Sequence, residues 1–308
     1  MKITVLAGGV GAARLLAGLA AVTDPAQITA ICNVGDDLEW HGLHVSPDID
    51  TVLYTLAGIE GDQGWGLRGD TSTVLDALRV LGGDAWFAIG DRDLATHLRR
   101  TACLRAGGTL AEATAELARA RGLAATVLPV TNDPHPTMVR TAAGTLPFQV
   151  YFVQRRAADA VTGFDFPGAA GARPAPGVIE AIEGCDALIV APSNPFVSIH
   201  PILEVPGVRE AVQRTRACRI AVSPIVGGAA VKGPAADMLR ALGHEVSALG
   251  VARLYAGIVD RFVLDRVDAG CVPAVRALGV EAIACDTMMT GDGGRARVAS
   301  AVLDAIAP

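Results

Sequence analysis

Six short apolar runs, Ile3–Leu6, Ile28–Cys32, Trp86–Ile89, Ala187–Ala191, Arg219–Val222 and Glu281–Ala284, alternate with stretches whose apolar residues recur at helical spacing. That alternation is the mark of an α/β chain: parallel strands can be joined only by crossovers, and the crossovers are usually helices. The expected core is therefore a mostly parallel sheet flanked by helices. One region breaks the rhythm. Helical patterns crowd between Asp70 and Arg121, including "TSTVLDALRVLGG" and "TLAEATAELARARG". After them, "MVRTAAGTLPFQVYFVQ" (138–154) reads as strand, Ala-Ala-Gly-Thr turn, strand. This predicts a core made of residues 1–59 and 159–308, with residues 60–158 forming a smaller, mainly helical insertion that ends in a β-hairpin. The Gly-, Ala- and Pro-rich stretch 163–177 reads as a loop or linker.

At 308 residues, 51% hydrophobic and 19% charged, the chain can bury a large core. A net charge of −6 excludes a coat for nucleic acid, though not a nucleotide, whose phosphates backbone amides can hold. No apolar stretch reaches the ~18 residues of a membrane span. "MKITVLAGG" breaks at Gly8-Gly9 and reads as a buried strand rather than a leader. The six cysteines are scattered without a CxxC, as in a reduced, cytoplasmic protein.

In a doubly wound sheet the ligand lies beyond the carboxyl ends of the strands. "AGGVGAAR" (7–14) follows the first strand and opens a helix, so Gly8, Gly9 and Gly11 allow close approach of a phosphate, with Arg14 adding charge. No Lys-Ser/Thr follows, so this is not a Walker loop, and Arg14 stands where a dinucleotide loop would carry its third glycine. "PSNP" (192–195) and "SPIVGGAAVKGP" (223–234) follow two later strands. They offer Ser193, Asn194 and Ser223 as donors, Gly227-Gly228 as a second glycine pair and Lys232 as a cation. Each also suits an ordinary turn, but three such loops on one rim favour a phosphate-bearing ligand.

The acids concentrate in "NVGDDLEWHGLHVSPDIDT" (33–51). Asp36 and Asp37 fall in a Gly turn beyond the second strand, whose tip carries Asn33 where an NAD site would place an acid. Ser46 and Pro47 suit the N-cap and first position of a helix, with Asp48 and Asp50 in its first turn. About 100° of helix separates each acid from Ile49, so the two diverge and cannot readily chelate one ion from the same side. Asp91 and Asp93 come after the expected strand at Trp86–Ile89, and His97 can share a helix face with Asp93. Carboxylates without a zinc-type His or Cys pattern favour Mg²⁺, which commonly bridges to phosphates.

Taken in order, "MKITVLAGGVGAAR", "NVGDD", "HGLHVSPDIDTVLYTLAG", "GWGLRGDT", "IGDRDLATH", "APSNP" and "SPIVGG…KGP" resemble the 2-phospho-L-lactate transferase family of coenzyme F-420 biosynthesis, over nearly the whole chain. The resemblance implies a Rossmann-like core, a homodimer and a Mg²⁺-dependent reaction. In it a phosphate-linked three-carbon acid passes from a guanosine diphosphate-type donor to the deazaflavin Fo, and GMP is released. Enolpyruvyl, lactyl and glyceryl donors all remain open. Two departures stand out: Ala12-Ala13 where glycine is common, and Asn132-Asp133 where paired aspartates are expected.

On this basis Mg²⁺ is assigned to Asp48 and Asp70, and Asp50 to orienting or deprotonating the ribityl hydroxyl. Asp36, Asp37, Asp91 and Asp133 are assigned to the Fo side. Gly8, Gly9, Gly11, Arg14, Ser193, Asn194, Ser223, Gly227, Gly228 and Lys232 are assigned to the nucleotide. Trp86 is a candidate to stack on the deazaflavin, although its place in an expected strand favours the core. The rival readings are a nucleotide-sugar-binding regulator of the same fold and, disfavoured by Arg14 and Asn33, an NAD(P) oxidoreductase.

Overall fold

The computed structural model describes residues 1–306, Asp292 by its backbone alone. Its centre is a seven-stranded sheet. From one edge to the other the strands are Glu281–Cys285, Arg261–Asp265, Cys218–Val222, Ala187–Val190, Ile3–Ala7, Ile28–Cys32 and Thr126–Pro129, and every neighbouring pair is parallel. The expected α/β class is what forms. Ile3–Ala7 is buried at every position, as a central strand covered on both faces must be. The helix Gly9–Val22 packs on it and against the helices Pro47–Leu56 and Gly291–Asp304. Its Ala12 and Ala13 are fully buried, so methyl groups occupy core space there instead of opening the phosphate loop.

The strand order determines where a ligand can bind. From Ile3–Ala7 the chain first winds outward through Ile28–Cys32 to Thr126–Pro129. It then returns to the other side at Ala187–Val190 and winds away through the last three strands. Crossovers on the two sides of this reversal leave in opposite directions, which opens a crevice beyond the carboxyl ends of Ile3–Ala7 and Ala187–Val190.

Several elements differ from expectation. Residues 86–89 form no strand. Ile89 packs with Trp40, Val45 and Leu75 in a small second core that Trp86 and Phe87 flank, so this apolar run is buried without strand pairing. Thr126–Pro129, inside the 60–158 segment, instead supplies the edge strand of the main sheet. Its four residues end in proline, which only an edge strand tolerates, so its pattern carries little strand signal. Arg261–Asp265 was also missed, its apolar centre being framed by charges.

The expected hairpin forms between Met138–Thr141 and Gly144–Pro147. Beyond it the chain turns into a short helical turn, Val150–Gln154, and Val161–Asp165 adds a third antiparallel strand that runs into the start of the stretch 163–177 read as a loop. The helices Thr73–Val80, Asp91–Arg105 and Leu110–Ala120 lie where the periodicity places them, the last with a capping box from Thr109 and Glu112. Among the described residues no helix is long and apolar enough to cross a membrane.

Candidate active site

A cavity of ≈ 550 Å³ occupies the crevice at the chain reversal. Its floor is the loop after the first strand. Gly9 has φ +71°, in the left-handed region that favours glycine. A Cβ on Gly11 would lie 2.3 Å from the carbonyl oxygen of Pro192, and one on Gly8 would lie 2.6 Å from Ser198 Cβ and 2.8 Å from Asp48 Oδ2. These two glycines are thus required by close packing as well as by any ligand.

Ser193 reinforces the contact by donating its hydroxyl to Gly8 O at 2.7 Å. Replacing Gly11 with alanine should cost about 1–3 kcal/mol through overpacking against Pro192. Urea unfolding reads that loss, and an unchanged midpoint would show that the loop yields freely. The helix Gly9–Val22 presents its N-terminus to the cavity with no acid in its first turn, an arrangement that suits an anion.

Facing this loop is the start of the helix Pro47–Leu56. Asp48 Oδ1 accepts Gly9 N–H at 2.6 Å, and Asp48 Oδ2 accepts Asn33 Nδ2 at 2.9 Å. The same Asn33 amide lies 3.3 Å from Asp36 Oδ1, and Gln149 Nε2 donates to Asp36 Oδ2 at 3.0 Å. Two buried carboxylates therefore share one amide. Burial pushes Asp48 up to about 6 against the bonds from Asn33 and Gly9. Burial, followed by the charges of Asp48 and Asp37, pushes Asp36 well above its ordinary value.

A close carboxylate pair of this kind is what a divalent cation relieves. Among the described residues no third His, Cys, Asp or Glu joins them. That fits Mg²⁺, which takes one or two carboxylates and completes its shell with water and substrate phosphate.

Asp50 diverges from Asp48, as the helix geometry requires. Both its oxygens are engaged by Arg100, with Arg100 Nη1 to Asp50 Oδ2 at 3.0 Å. His97 lies between two acids, its Nδ1 3.6 Å from Asp50 Oδ2 and its Nε2 3.4 Å from Asp93 Oδ1, and the Tyr54 hydroxyl donates to Asp93. His97 shares a helix face with Asp93, as its spacing allows, without a hydrogen bond at Nε2, and Asp50, Asp93 and His97 all lie on the cavity wall. Burial opposes ionisation of Asp93, but His97, Tyr54 and Arg100 together hold its carboxyl below the ordinary value. With both oxygens occupied by the Arg100 guanidinium, Asp50 is better suited to positioning than to contacting a hydroxyl proton.

Of the other residues expected in the site, Arg14, Asn194, Ser223 and Lys232 line the cavity, while Asp37, Asp70, Asp91, Asp133, Gly227 and Gly228 do not. Asp37 binds His44 Nε2 at 2.9 Å and the Ser46 hydroxyl at 2.8 Å, so Ser46 is turned away from capping its helix. Asp70 accepts the backbone N–H groups of Thr71, Arg92 and Asp93, capping the helix Asp91–Arg105 from outside the chain of that helix. Asp91 does the same for the helix Thr73–Val80 through Thr73 and Val74 N–H. The Thr71 hydroxyl and those amides lower it to about 2.

Asp133 accepts Arg173 N–H at 2.8 Å, and Asn132 Oδ1 accepts Ala111 N–H at 2.9 Å, so both are spent on loop and helix ends. Gly227 and Gly228, with φ of +59° and +77°, form the two-residue turn of the hairpin Ile225–Val226/Ala229–Ala230. Asp70 and Asp91 thus serve helix ends, Asp133 a loop, and Gly227-Gly228 a turn, whereas Asp37 is held by His44 and Ser46.

The residues that sequence reasoning passed over are Asn33, Gln149 and Arg100. Asn33 was legible as the residue immediately after a strand. Gln149 and Arg100 come from segments that only tertiary packing brings to the cavity. The remaining wall is aromatic: Tyr54, Trp65, Phe87, Phe148 and Phe152, with the last two stacked at 5.5 Å. Trp86 is not in the lining; it meets Phe87 edge to face in the small second core.

The model of the 2-phospho-L-lactate transferase CofD family matches residues 3–301. A phosphoenolpyruvate transferase of Streptomyces griseus is 43% identical over 311 residues, covering 99% of this chain and 98% of that protein. A 2-phospho-L-lactate transferase of Methanosarcina acetivorans is 40% identical over 287 residues, covering 93% of each. Among solved structures, a member of the upf0052 family from Bacillus halodurans superposes with a TM-score of 0.65 at 19% identity, covering 98% of each chain, a likeness of fold alone.

Proposed function

The chain belongs to the 2-phospho-L-lactate transferase CofD family, and we propose that it acts in coenzyme F-420 biosynthesis. In this reading it moves a phosphate-linked three-carbon acid from a guanosine diphosphate-type donor to the ribityl hydroxyl of the deazaflavin Fo, releasing GMP. The observation that carries this reading is the Asp36–Asp48 pair set opposite a glycine-loop helix N-terminus, in a cavity whose third side is aromatic. The first two features suit a diphosphate with its cation, and the third suits a flat ring.

The donor's diphosphate lies against the first turn of the helix Gly9–Val22, where backbone N–H groups have no partner within the helix. Asp48 and Asp36 are the residues that would hold Mg²⁺, which would supply neutralisation of charge on the phosphoryl oxygens. The deazaflavin lies along the wall of Trp65, Phe148 and Phe152, with its ribityl chain directed inward. The hydroxyl oxygen forms the new bond to the phosphorus bearing the three-carbon unit, the bond from that phosphorus to the GMP oxygen breaks, and the hydroxyl proton passes to the departing GMP phosphate. Transfers of this kind need alignment and charge neutralisation more than covalent help. The Arg100–Asp50–His97 cluster fixes the helix that carries Asp48. Incubating the protein with Fo, Mg²⁺ and each donor should yield GMP and a phosphodiester-linked Fo in equal amounts. Tight binding of a UDP-sugar with no product from any donor would replace this reading by that of a regulator.

The carboxylate pair also has a consequence for stability. Asp48 titrates near 6 when folded, above its ordinary value of 3.8, so the folded protein holds a proton there that the unfolded chain has lost. In the metal-free protein this contribution is complete below about pH 4 and is lost as pH rises through about 6, and Asp36 acts in the same sense. The thermal midpoint attributable to this pair should therefore fall between pH 5 and pH 7. Asp48→Asn should lack much of that fall, and Mg²⁺ should offset it in the wild type at pH 7. A wild type and variant with parallel pH profiles would remove the pair as its source.

A further inference from the structure

We propose that Arg14 and Lys232 form the subsite for the carboxylate of the donor's three-carbon acid, separate from the place where its phosphates bind; the inference rests on the transferase reading above. The charges lining the cavity are segregated. Asp36, Asp48, Asp50 and Asp93 are tied to Gln149, Asn33, Gly9, Arg100 and Tyr54. None of them pairs with Arg14 or Lys232, and neither cation makes an ion pair with any carboxylate among the described residues. Arg14 Nε is buried without a hydrogen-bond partner. Arg14 itself is partly exposed at the cavity, and a buried N–H without a partner is a donor that a bound anion can satisfy.

Lys232 reaches the same cavity from the far side of the chain reversal. Its ammonium donates one hydrogen bond to the carbonyl of Gln63, which anchors it and leaves two donors for a ligand. Both cations line the same cavity, and partial burial together with the charge of Arg14 holds Lys232 below the usual lysine value.

The donor has more anionic groups than the helix N-terminus and a cation on Asp48 can serve. With its diphosphate held there, the carboxylate is the group still unmatched. A planar guanidinium fork and an ammonium suit a carboxylate well. Lactyl, enolpyruvyl and glyceryl units share this group, so the pair selects acids over uncharged esters or alcohols without choosing among the three.

The test is calorimetric titration of the full chain with GDP, with the guanosine diphosphate-linked lactyl donor, and with the methyl ester of that donor. Lys232 is exposed, so its substitution leaves the core intact. The wild type should prefer acid to ester by roughly 10–100-fold, the worth of a charge-assisted hydrogen bond. Lys232→Ala should remove most of that preference while the Kd for GDP stays within about 2-fold, and Lys232→Arg should restore it. Equal weakening of GDP and acid donor would assign the cations to phosphate and overturn the proposal, as would equal binding of acid and ester by the wild type. The wider reading fails on a different measurement, the absence of transfer to Fo, so the two failures are told apart.

Discussion

Replacing Asp48 with asparagine should lower turnover by roughly 10²–10³-fold, the scale on which removing one preorganised charge-stabilising group acts, and leave a folded protein. Asp48 occupies the one position where the glycine loop, the strand-end Asn33 and the first turn of the helix Pro47–Leu56 meet. Both its oxygens accept hydrogen bonds, whereas asparagine brings an amide with one acceptor and one donor end. Either Gly9 N–H or the Asn33 amide must then face another donor, at a cost of about 1–3 kcal/mol. A domain of ordinary stability survives that loss. What it does not retain is the negative charge shared with Asp36. Single-turnover release of GMP, measured beside far-UV circular dichroism and a Mg²⁺ titration, separates the two effects. Activity within about 3-fold of wild type would end the assignment of Asp48 to the cation, since even one modest catalytic contact is worth more than that.

Arg100→Met should produce the largest loss of stability, about 3–5 kcal/mol, because it leaves a buried carboxylate without its partner. Arg100 is 0% exposed and Asp50 4% exposed. With the guanidinium gone, the nearest compensating group is His97 Nδ1 at 3.6 Å, beyond hydrogen-bonding range. The loss comes from the stranded charge rather than from the missing pair. A second change, Asp50→Asn, should therefore recover at least half of it, since paired removal of buried charge is often close to neutral. Urea unfolding of wild type, both single variants and the double variant gives the coupling directly. A double variant as unstable as Arg100→Met alone would show that the guanidinium acts through packing and not through charge.

The elements with strong periodicity and clean ends were legible before any coordinates. The opening strand, glycine loop and helix, the helix that starts at Pro47, and the helices of 73–120 follow from spacing and end chemistry that operate within a few residues. The divergence of Asp48 and Asp50 was legible too, since helix pitch alone decides it. The aspartates Asp37, Asp70, Asp91 and Asp133 show where such reading stops. Each stands at a loop or helix start, and an acid there serves a cap as well as a metal. What separates the roles is which amides lie opposite, and for Asp70 these belong to residues 92 and 93, more than twenty positions along the chain.

Fold class, the glycine loop after the first strand and the family were all legible in local patterns and in their order along the chain. The tertiary structure alone decided which acids face each other. Asn33 gathers Asp36 and Asp48, Arg100 claims Asp50 from fifty residues away, and Gln149 reaches Asp36 from the far side of the hairpin. The physical reason is that a buried charge is governed by its nearest neighbours in space, and the sheet's reversal at Ile3–Ala7 and Ala187–Val190 chooses those neighbours.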